Sequence, residues 1–270
     1  LCDRRQRQMC IRDRSLLFAA GALYAGVKVP VVKNVHISSE KLIREYTVVV
    51  LSDLHIHRVI SPQKIERIVS LANAQNPDVV LLAGDIIDDD VRRVSKITAL
   101  LKGLKASKGI YFVTGNHEFY AGYDETVREL ANLGFMFLEN DGAAVGKDLY
   151  LAGVPDTFAG AAYGKTPDLN RAFAKAGKGA YSLLVSHSPS DFAGRDFDLE
   201  VSGHTHGGQI FPFHVFAKLH NKYLSGLYPM PGGAEIYVSN GAGQWGPQMR
   251  FLAPSEITVL RLTPENRRNK

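Results

Sequence analysis

Thr47-Val48-Val49-Val50-Leu51-Ser52-Asp53-Leu54-His55 is the stretch whose reading decides the fold. A continuous run of β-branched and aliphatic residues reads as a strand buried on both faces, as in a parallel α/β sheet. It runs straight into an aspartate and a histidine, and the C-terminal ends of central strands are where open α/β sheets carry their sites. The same pattern then repeats. Pro62 opens an amphipathic helix over 62–74, with Ile65, Ile68, Val69 and Ala72 at helical spacing, and Asn76-Pro77 stops it. Asp78-Val79-Val80-Leu81-Leu82 is a second buried strand, ending in Ala83-Gly84-Asp85. A helix over 91–104 follows, with Val94, Ile97, Leu100, Leu101 and Leu104 on one face. A third strand over 109–113 then delivers Gly115-Asn116-His117-Glu118.

Beyond a helix at 124–133, a short strand at 135–138 and a turn at Asp141-Gly142, the chain reads mostly as strands. These fall at 149–152, 181–185, 197–201, 209–211, 235–238 and 257–262, interrupted by a helical segment near 168–176. Tyr181-Ser182-Leu183-Leu184-Val185 leads into Ser186-His187, a fourth strand end bearing a potential ligand. The fifth is Ser202-Gly203-His204-Thr205-His206-Gly207-Gly208-Gln209, which sets two imidazoles one residue apart. Histidines at that spacing cannot share a helix face, and on a strand they point the same way. On a glycine-flanked turn they diverge toward two neighbouring ions. Ligand types gathered at several strand ends are what a site at one edge of a layered α/β fold requires.

With 45% hydrophobic and 22% charged residues among 270, the chain has the composition of an ordinary globular protein, sized for one large domain. The formal charge is +5, of which Arg4, Arg5, Arg7, Arg12 and Arg14 against Asp3 and Asp13 supply +3. No basic run with interleaved aromatics follows, so the charge pattern asks for no nucleic-acid partner. Both cysteines, Cys2 and Cys10, lie in this first segment, leaving the rest without a disulfide or thiolate ligand and the redox compartment open.

Residues 1–14 read as the translation of a sequencing adapter joined to a truncated reading frame, and they are set aside from fold reasoning. The uncharged run Leu16–Val27 inside residues 15–32 is shorter than the ~20 residues a membrane span needs. It reads as the end of a membrane anchor whose upstream part is missing, ahead of a signal-peptide core or a buried helix. Residues 31–45 are then a linker, 46–263 the folded domain and 264–270 a charged tail.

Asp53-x-His55, Gly84-Asp85, Gly115-Asn116-His117-Glu118, His187 and Gly203-His204-Thr205-His206 resemble, in order, the signature of the calcineurin-like metallophosphoesterases. The resemblance covers about residues 46–262. Gly207-Gly208-Gln209-Ile210 and Arg250 ahead of Pro254-Ser255-Glu256-Ile257 look like the membrane-associated bacterial branch, which includes pyrophosphatases acting on UDP-diacylglucosamine. The resemblance implies a four-layer αββα sandwich of two mixed sheets flanked by helices. It also implies a dinuclear centre in which Asp85 bridges, Asp53, His55 and His206 complete one ion's shell, and Asn116, His187 and His204 complete the other's. His117 is implied as a non-ligand over the scissile phosphate, acting as general acid or charge stabiliser.

The residue types agree with that. Imidazoles, carboxylates and an amide oxygen form a ligand set of intermediate hardness, suited to two divalent transition ions such as Mn, Fe, Zn or Co. Such a pair would bind phosphate oxygens, acidify a water and stabilise charge building at phosphorus. Asp88, Asp89 and Asp90 read as turn formers or helix caps, and His36, His57, His214 and His220 as surface or packing residues. Glu118, Gln209, Tyr223 and Arg250 are secondary candidates for substrate contact, outside the core set. The apolar run Ile210-Phe211-Pro212-Phe213-His214-Val215-Phe216 is either a patch beside the site or a buried strand and corner.

The expected function is a hydrolase of phosphodiester or pyrophosphate bonds, acting on a phosphorylated small molecule or a lipid-linked substrate at a bacterial membrane. A soluble phosphomonoesterase or nuclease is the alternative, and a non-catalytic scaffold of the same fold a further one. Loss of a ligand or of His117 would favour the scaffold, and this chain keeps them all.

Overall fold

The computed structural model describes residues 4–157, 159–190, 192 and 197–265. Its strands are β1 (Val31–Ser39), β2 (Tyr46–Leu51), β3 (Val79–Ala83), β4 (Ile110–Val113), β5 (Met136–Phe137), β6 (Asp141–Ala144), β7 (Leu149–Gly153), β8 (Tyr181–Val185), β9 (Leu199–Ser202), β10 (Gly226–Pro229), β11 (Glu235–Val238) and β12 (Glu256–Pro264). They form two six-stranded mixed sheets, ordered β1-β12-β2-β3-β4-β5 and β10-β11-β9-β8-β7-β6. The helices are α1 (Arg4–Val27), α2 (Pro62–Asn73), α3 (Val91–Thr98), α4 (Asn116–Ala121), α5 (Tyr123–Asn132), α6 (Leu169–Ala172) and α7 (Phe213–His220).

Strand alternation explains the layering. Val48 and Val50 of β2 face the second sheet and pack with Leu151, Leu183 and Val201, whereas Val49 and Leu51 face the opposite way, onto Ile65, Ile68 and Ala72 of α2. Tyr150 and Leu184 on the far side of the second sheet meet Leu169 and Ala172 of α6. Side chains of this kind each stabilise by about 1.5–3 kcal/mol when fully buried. This is the expected αββα sandwich. Because β2, β3 and β4 are parallel neighbours, and β8 and β9 likewise, the strand ends bearing the candidate ligands point to one edge of it.

Several local expectations are corrected. Residues 31–39 are not linker: β1 pairs in parallel with β12 along nine positions, from Val31–Glu256 to Ser39–Pro264. Asp141-Gly142 is not a turn but opens β6, antiparallel to β7. Gly142 is there for close approach, since a Cβ would press against the Leu151 carbonyl and the Tyr150 ring. The helix expected over 91–104 is α3 followed by a 3-10 turn, Ala99–Gly103, whose last carbonyl accepts from the Asn73 side-chain amide. No strand forms at 209–211; one isolated bridge joins Ile210 to Phe251, and the residues beyond Pro212 coil into α7.

The residues set aside as adapter and the apolar run share helix α1. Only its second half packs, through Phe18 on Phe251 (ring centroids 4.4 Å), buried Ala22, and the Ala22 carbonyl accepting from the Arg250 N–H at 2.9 Å. No helix among the described residues is long and apolar enough to cross a membrane. Cys10 is free and exposed, while Cys2 and the tail 266–270 lie outside the described residues.

Candidate metal centre

Five of the expected site residues hold backbone that side chains avoid: φ is 53° at Asp53, 45° at His55, 51° at Asp85, 66° at His204 and 51° at His206. Left-handed backbone at non-glycine residues is costly and gathers where surrounding structure enforces it, typically at functional sites. Here each strand ends abruptly and turns its first polar residues inward. The Asp53 N–H donates to the Gly84 carbonyl and the His55 N–H to the Asp85 carbonyl, so the two loops fix each other. Gly115 and Gly203 serve the same closeness, because a Cβ at either would fall on the carboxylate of Asp85 or Asp53.

The carboxylates are oriented before anything binds. Asp53 accepts from the Ser52 hydroxyl (2.6 Å) and the His204 N–H (3.0 Å). Oδ1 of Asp85 accepts the His117 N–H at 2.9 Å, which leaves Oδ2 facing inward. That oxygen lies 3.1 Å from His187 Nε2, 3.7 Å from His55 Nε2 and 4.0 Å from His117 Nε2.

Around it are two clusters of potential ligand atoms, each within 4.8 Å: Asp53, His55 and His206, and Asp85, His187 and His204. In the first, His55 Nε2 and His206 Nε2 stand 3.0 Å apart and Asp53 Oδ1 is 3.4 Å from His206 Nε2. Beside the second, Asn116 Oδ1 lies 3.0 Å from His204 Nδ1. All seven expected ligands are thus brought together, with Asp85 Oδ2 between the clusters.

The donor set fits divalent cations. His187 Nδ1–H donates to the Ala83 carbonyl at 2.9 Å, so whenever the ring is neutral its lone pair lies on Nε2. That nitrogen is buried and makes no hydrogen bond. Burial holds His206 well below the usual imidazole range, helped by His55 and Arg250, and lowers His204, helped by His187. Two neutral rings are what a cation requires of its ligands. Burial alone would raise Asp85, but His187, His55 and His117 together bring it far below the carboxylate range. Burial likewise opposes charge on His187, and Asp85 overcomes it and raises the ring.

Four residues, Asp88, Glu118, Arg250 and Tyr223, were misread from sequence. Asp88, taken for a turn former, accepts a hydrogen bond from His117 Nδ1–H and sits 3.3 Å from His55 Nδ1. The grouping His55, Asp88 and His117 is within ligand distance, but the His117 hydrogen bond makes it an oriented carboxylate and imidazole rather than a third ion site. The spacing Gly84-Asp85-x-x-Asp88 was the available signal. Asp90 is a cap as expected, accepting from the Arg92 N–H.

Glu118 is not exposed to substrate. It is buried, and its two oxygens accept from the N–H groups of Asp85, Ile86, Ile87 and Gly115 at 2.6–3.0 Å. Arg250, also buried, forms no ion pair with a carboxylate among the described residues. Its guanidinium donates to the carbonyls of Gly243, Asn240, Ala253 and His206, with Nη2 3.2 Å from His206 Nδ1. Tyr223 is buried in the layer behind the second sheet.

The family description Calcineurin-like phosphoesterase matches residues 46–208, well over half of the chain. The chain belongs to the calcineurin-like phosphoesterase family. It is 38% identical over 247 residues to a Helicobacter pylori protein named an uncharacterized metallophosphoesterase, covering 90% of this chain and 66% of that one. It is 34% identical over 263 residues to a Danio rerio protein named transmembrane protein with metallophosphoesterase domain, covering 91% of this chain and 60% of the relative. The chain therefore spans less than two thirds of the length of each. Relatives come from bacteria and animals alike. In fold it is similar to a 5'-nucleotidase precursor from Thermus thermophilus, with a TM-score of 0.50 and 16% identity over 81% of this chain and 54% of that one.

Proposed function

We propose that the protein is a metal-dependent hydrolase of phosphodiester or pyrophosphate bonds, with Asp53, His55 and His206 holding one divalent ion, Asn116, His187 and His204 a second, and Asp85 shared. The observation that carries this reading is Asp85 Oδ2, which faces imidazole nitrogens of both clusters while Oδ1 is tied to the His117 N–H. When bound, two such ions supply Lewis-acid stabilisation of a phosphoryl group and an acidified water. The chain's own contribution beyond binding is His117. Burial opposes its protonation, but the hydrogen bond from Nδ1 to Asp88 and the charge of Asp85 raise it, which favours a protonated ring whose Nε2 stands 4.0 Å from Asp85 Oδ2. That is the disposition of a general acid for a leaving oxygen.

The test is metal content with activity. The purified chain is expected to carry two transition-metal equivalents and to lose hydrolysis of a simple phosphodiester in chelator, recovering it on re-addition. One equivalent or none, with activity intact in chelator, overturns the reading. Asp88→Asn is expected to keep both metals yet lower turnover by about 10- to 100-fold, the usual scale for a partner that orients a functional histidine. The loss should be smaller for an activated nitrophenyl ester, whose leaving group needs no proton. An equal loss on both substrates would reassign the pair to structure.

The finer reading is a substrate bearing a lipid, met at a membrane. Supporting it are the apolar, unburied α7 next to the centre, the exposed Leu16, Leu17 and Leu23 on α1, and the name of the Danio rerio relative. The near-neutral charge beyond residue 14 weighs against a nuclease.

A further inference from the structure

Helix α7 has an apolar sequence and no buried residue: Phe213 is 62% exposed, Phe216 64% and Leu219 81%. Leaving such area wet costs roughly 25 cal/mol per Å², and exposed apolar patches mark surfaces meant to be covered. The helix is not a loose appendage. Gly207 and Gly208 have positive φ, and a Cβ on Gly208 would collide with the backbone of His214 in α7's first turn. What α7 binds is therefore held at a fixed place relative to His204 and His206.

Between α7 and the loop opposite lies a groove of about 420 Å³, walled by Ile210, Phe213, Phe216, Ala217, Trp245 and Pro247. His204 and His206 close its inner end, so it opens directly off the centre. Trp245 stands at the junction, its ring 6.4 Å from that of His117. The two polar side chains along the groove are already engaged. The Gln209 amide donates to the Trp245 carbonyl (2.7 Å) and accepts from the Trp245 N–H (3.0 Å), and the Thr205 hydroxyl donates to the Leu224 carbonyl (2.6 Å).

We propose that this groove is the subsite for a hydrocarbon chain of the substrate, an alkyl or acyl tail joined to the phosphoryl group at the centre. The inference rests on the hydrolase reading above and names the residues that select its substrate. A sugar or nucleoside placed here would lose much of its water and find few polar partners along an apolar wall, which costs more than apolar contact returns. A hydrocarbon loses nothing on leaving water. An apolar cavity of ~150 Å³ holds one benzene ring, so this groove takes several such units end to end.

Trp245 is the single tryptophan of the chain and 56% exposed, so its fluorescence reads groove occupancy directly. The metal-loaded protein is titrated with decyl phosphate, kept below its micelle concentration, and with ethyl phosphate. Decyl phosphate should give a saturable blue shift and bind at least about tenfold more tightly. Ala217→Phe, which fills the groove, and Phe216→Ser, a surface change that leaves the core intact, should each remove most of that preference. Equal affinity for the two phosphates, or an undiminished preference in both variants, overturns the subsite. Chelator-sensitive hydrolysis of bis(4-nitrophenyl) phosphate is measured on the same samples. Hydrolysis without chain-length preference removes the subsite alone, and absence of hydrolysis removes the catalytic reading beneath it.

Discussion

Asp85→Asn is expected to empty both metal positions and lower phosphodiester hydrolysis by at least about a thousandfold, the scale on which losing a central electrostatic group acts. The substitution keeps the side chain's shape and the acceptor that receives the His117 N–H. It replaces Oδ2 with an amide nitrogen, putting a donor where an acceptor faces three imidazole nitrogens at 3.1–4.0 Å. Two clusters lose their shared charge at once. Asp53→Asn is the matched comparison, because Asp53 neighbours His206 but belongs to one cluster only. It should weaken one ion chiefly. Elemental analysis of the two variants, purified alike, decides the matter. Equal metal loss in both would remove Asp85 from its bridging place, whatever the activities.

Much of this arrangement was legible because strand ends are a strong local signal. A β-branched run such as Val48–Val50 has one comfortable conformation, and the first polar residues after it must sit at the sheet edge. Asp53, His55, Asp85, Asn116, His187, His204 and His206 could therefore be placed without knowing how the sheets pack. Three other readings failed for one reason: their logic is tertiary. Asp88 differs from an ordinary turn aspartate only through His117, which arrives from a different strand end. Glu118 has the composition of a surface glutamate, and only the folded loop brings four amide donors to it. Residues 31–39 carry Lys33, Asn34 and His36 on an edge strand wet on much of its surface, so no hydrophobic alternation reveals β1. For α7 the difficulty is reversed. The sequence is as apolar as a core segment, and apolarity alone cannot tell a buried corner from a surface awaiting a partner.

Replacement of Arg250 should be the most destabilising single change near the site, with a loss of about 3–5 kcal/mol for Arg250→Met, because several buried carbonyls lose their donor at about 1–3 kcal/mol each. Burial brings this guanidinium down to about 10, so it remains charged at neutral pH even though no carboxylate bonds to it. Its solvation shell is protein: the carbonyls of Gly243, Asn240, Ala253 and His206 converge on a fixed fork of donors. Those carbonyls belong to the turn after His204 and the loops that follow β11, and each left without a donor costs about 1–3 kcal/mol. The Arg250 N–H meanwhile donates to Ala22, tying α1 to the same knot. For a domain of this size the loss lowers the thermal midpoint by roughly 10 °C. Arg250→Lys separates charge from geometry. An ammonium keeps the charge but has three donors at a point, too few and too compact for carbonyls spread around a planar fork. It should recover little of the loss in urea unfolding and should also weaken metal retention through His206. A lysine variant as stable as the parent would mean that charge alone is needed there, and that the loops hold themselves without the fork.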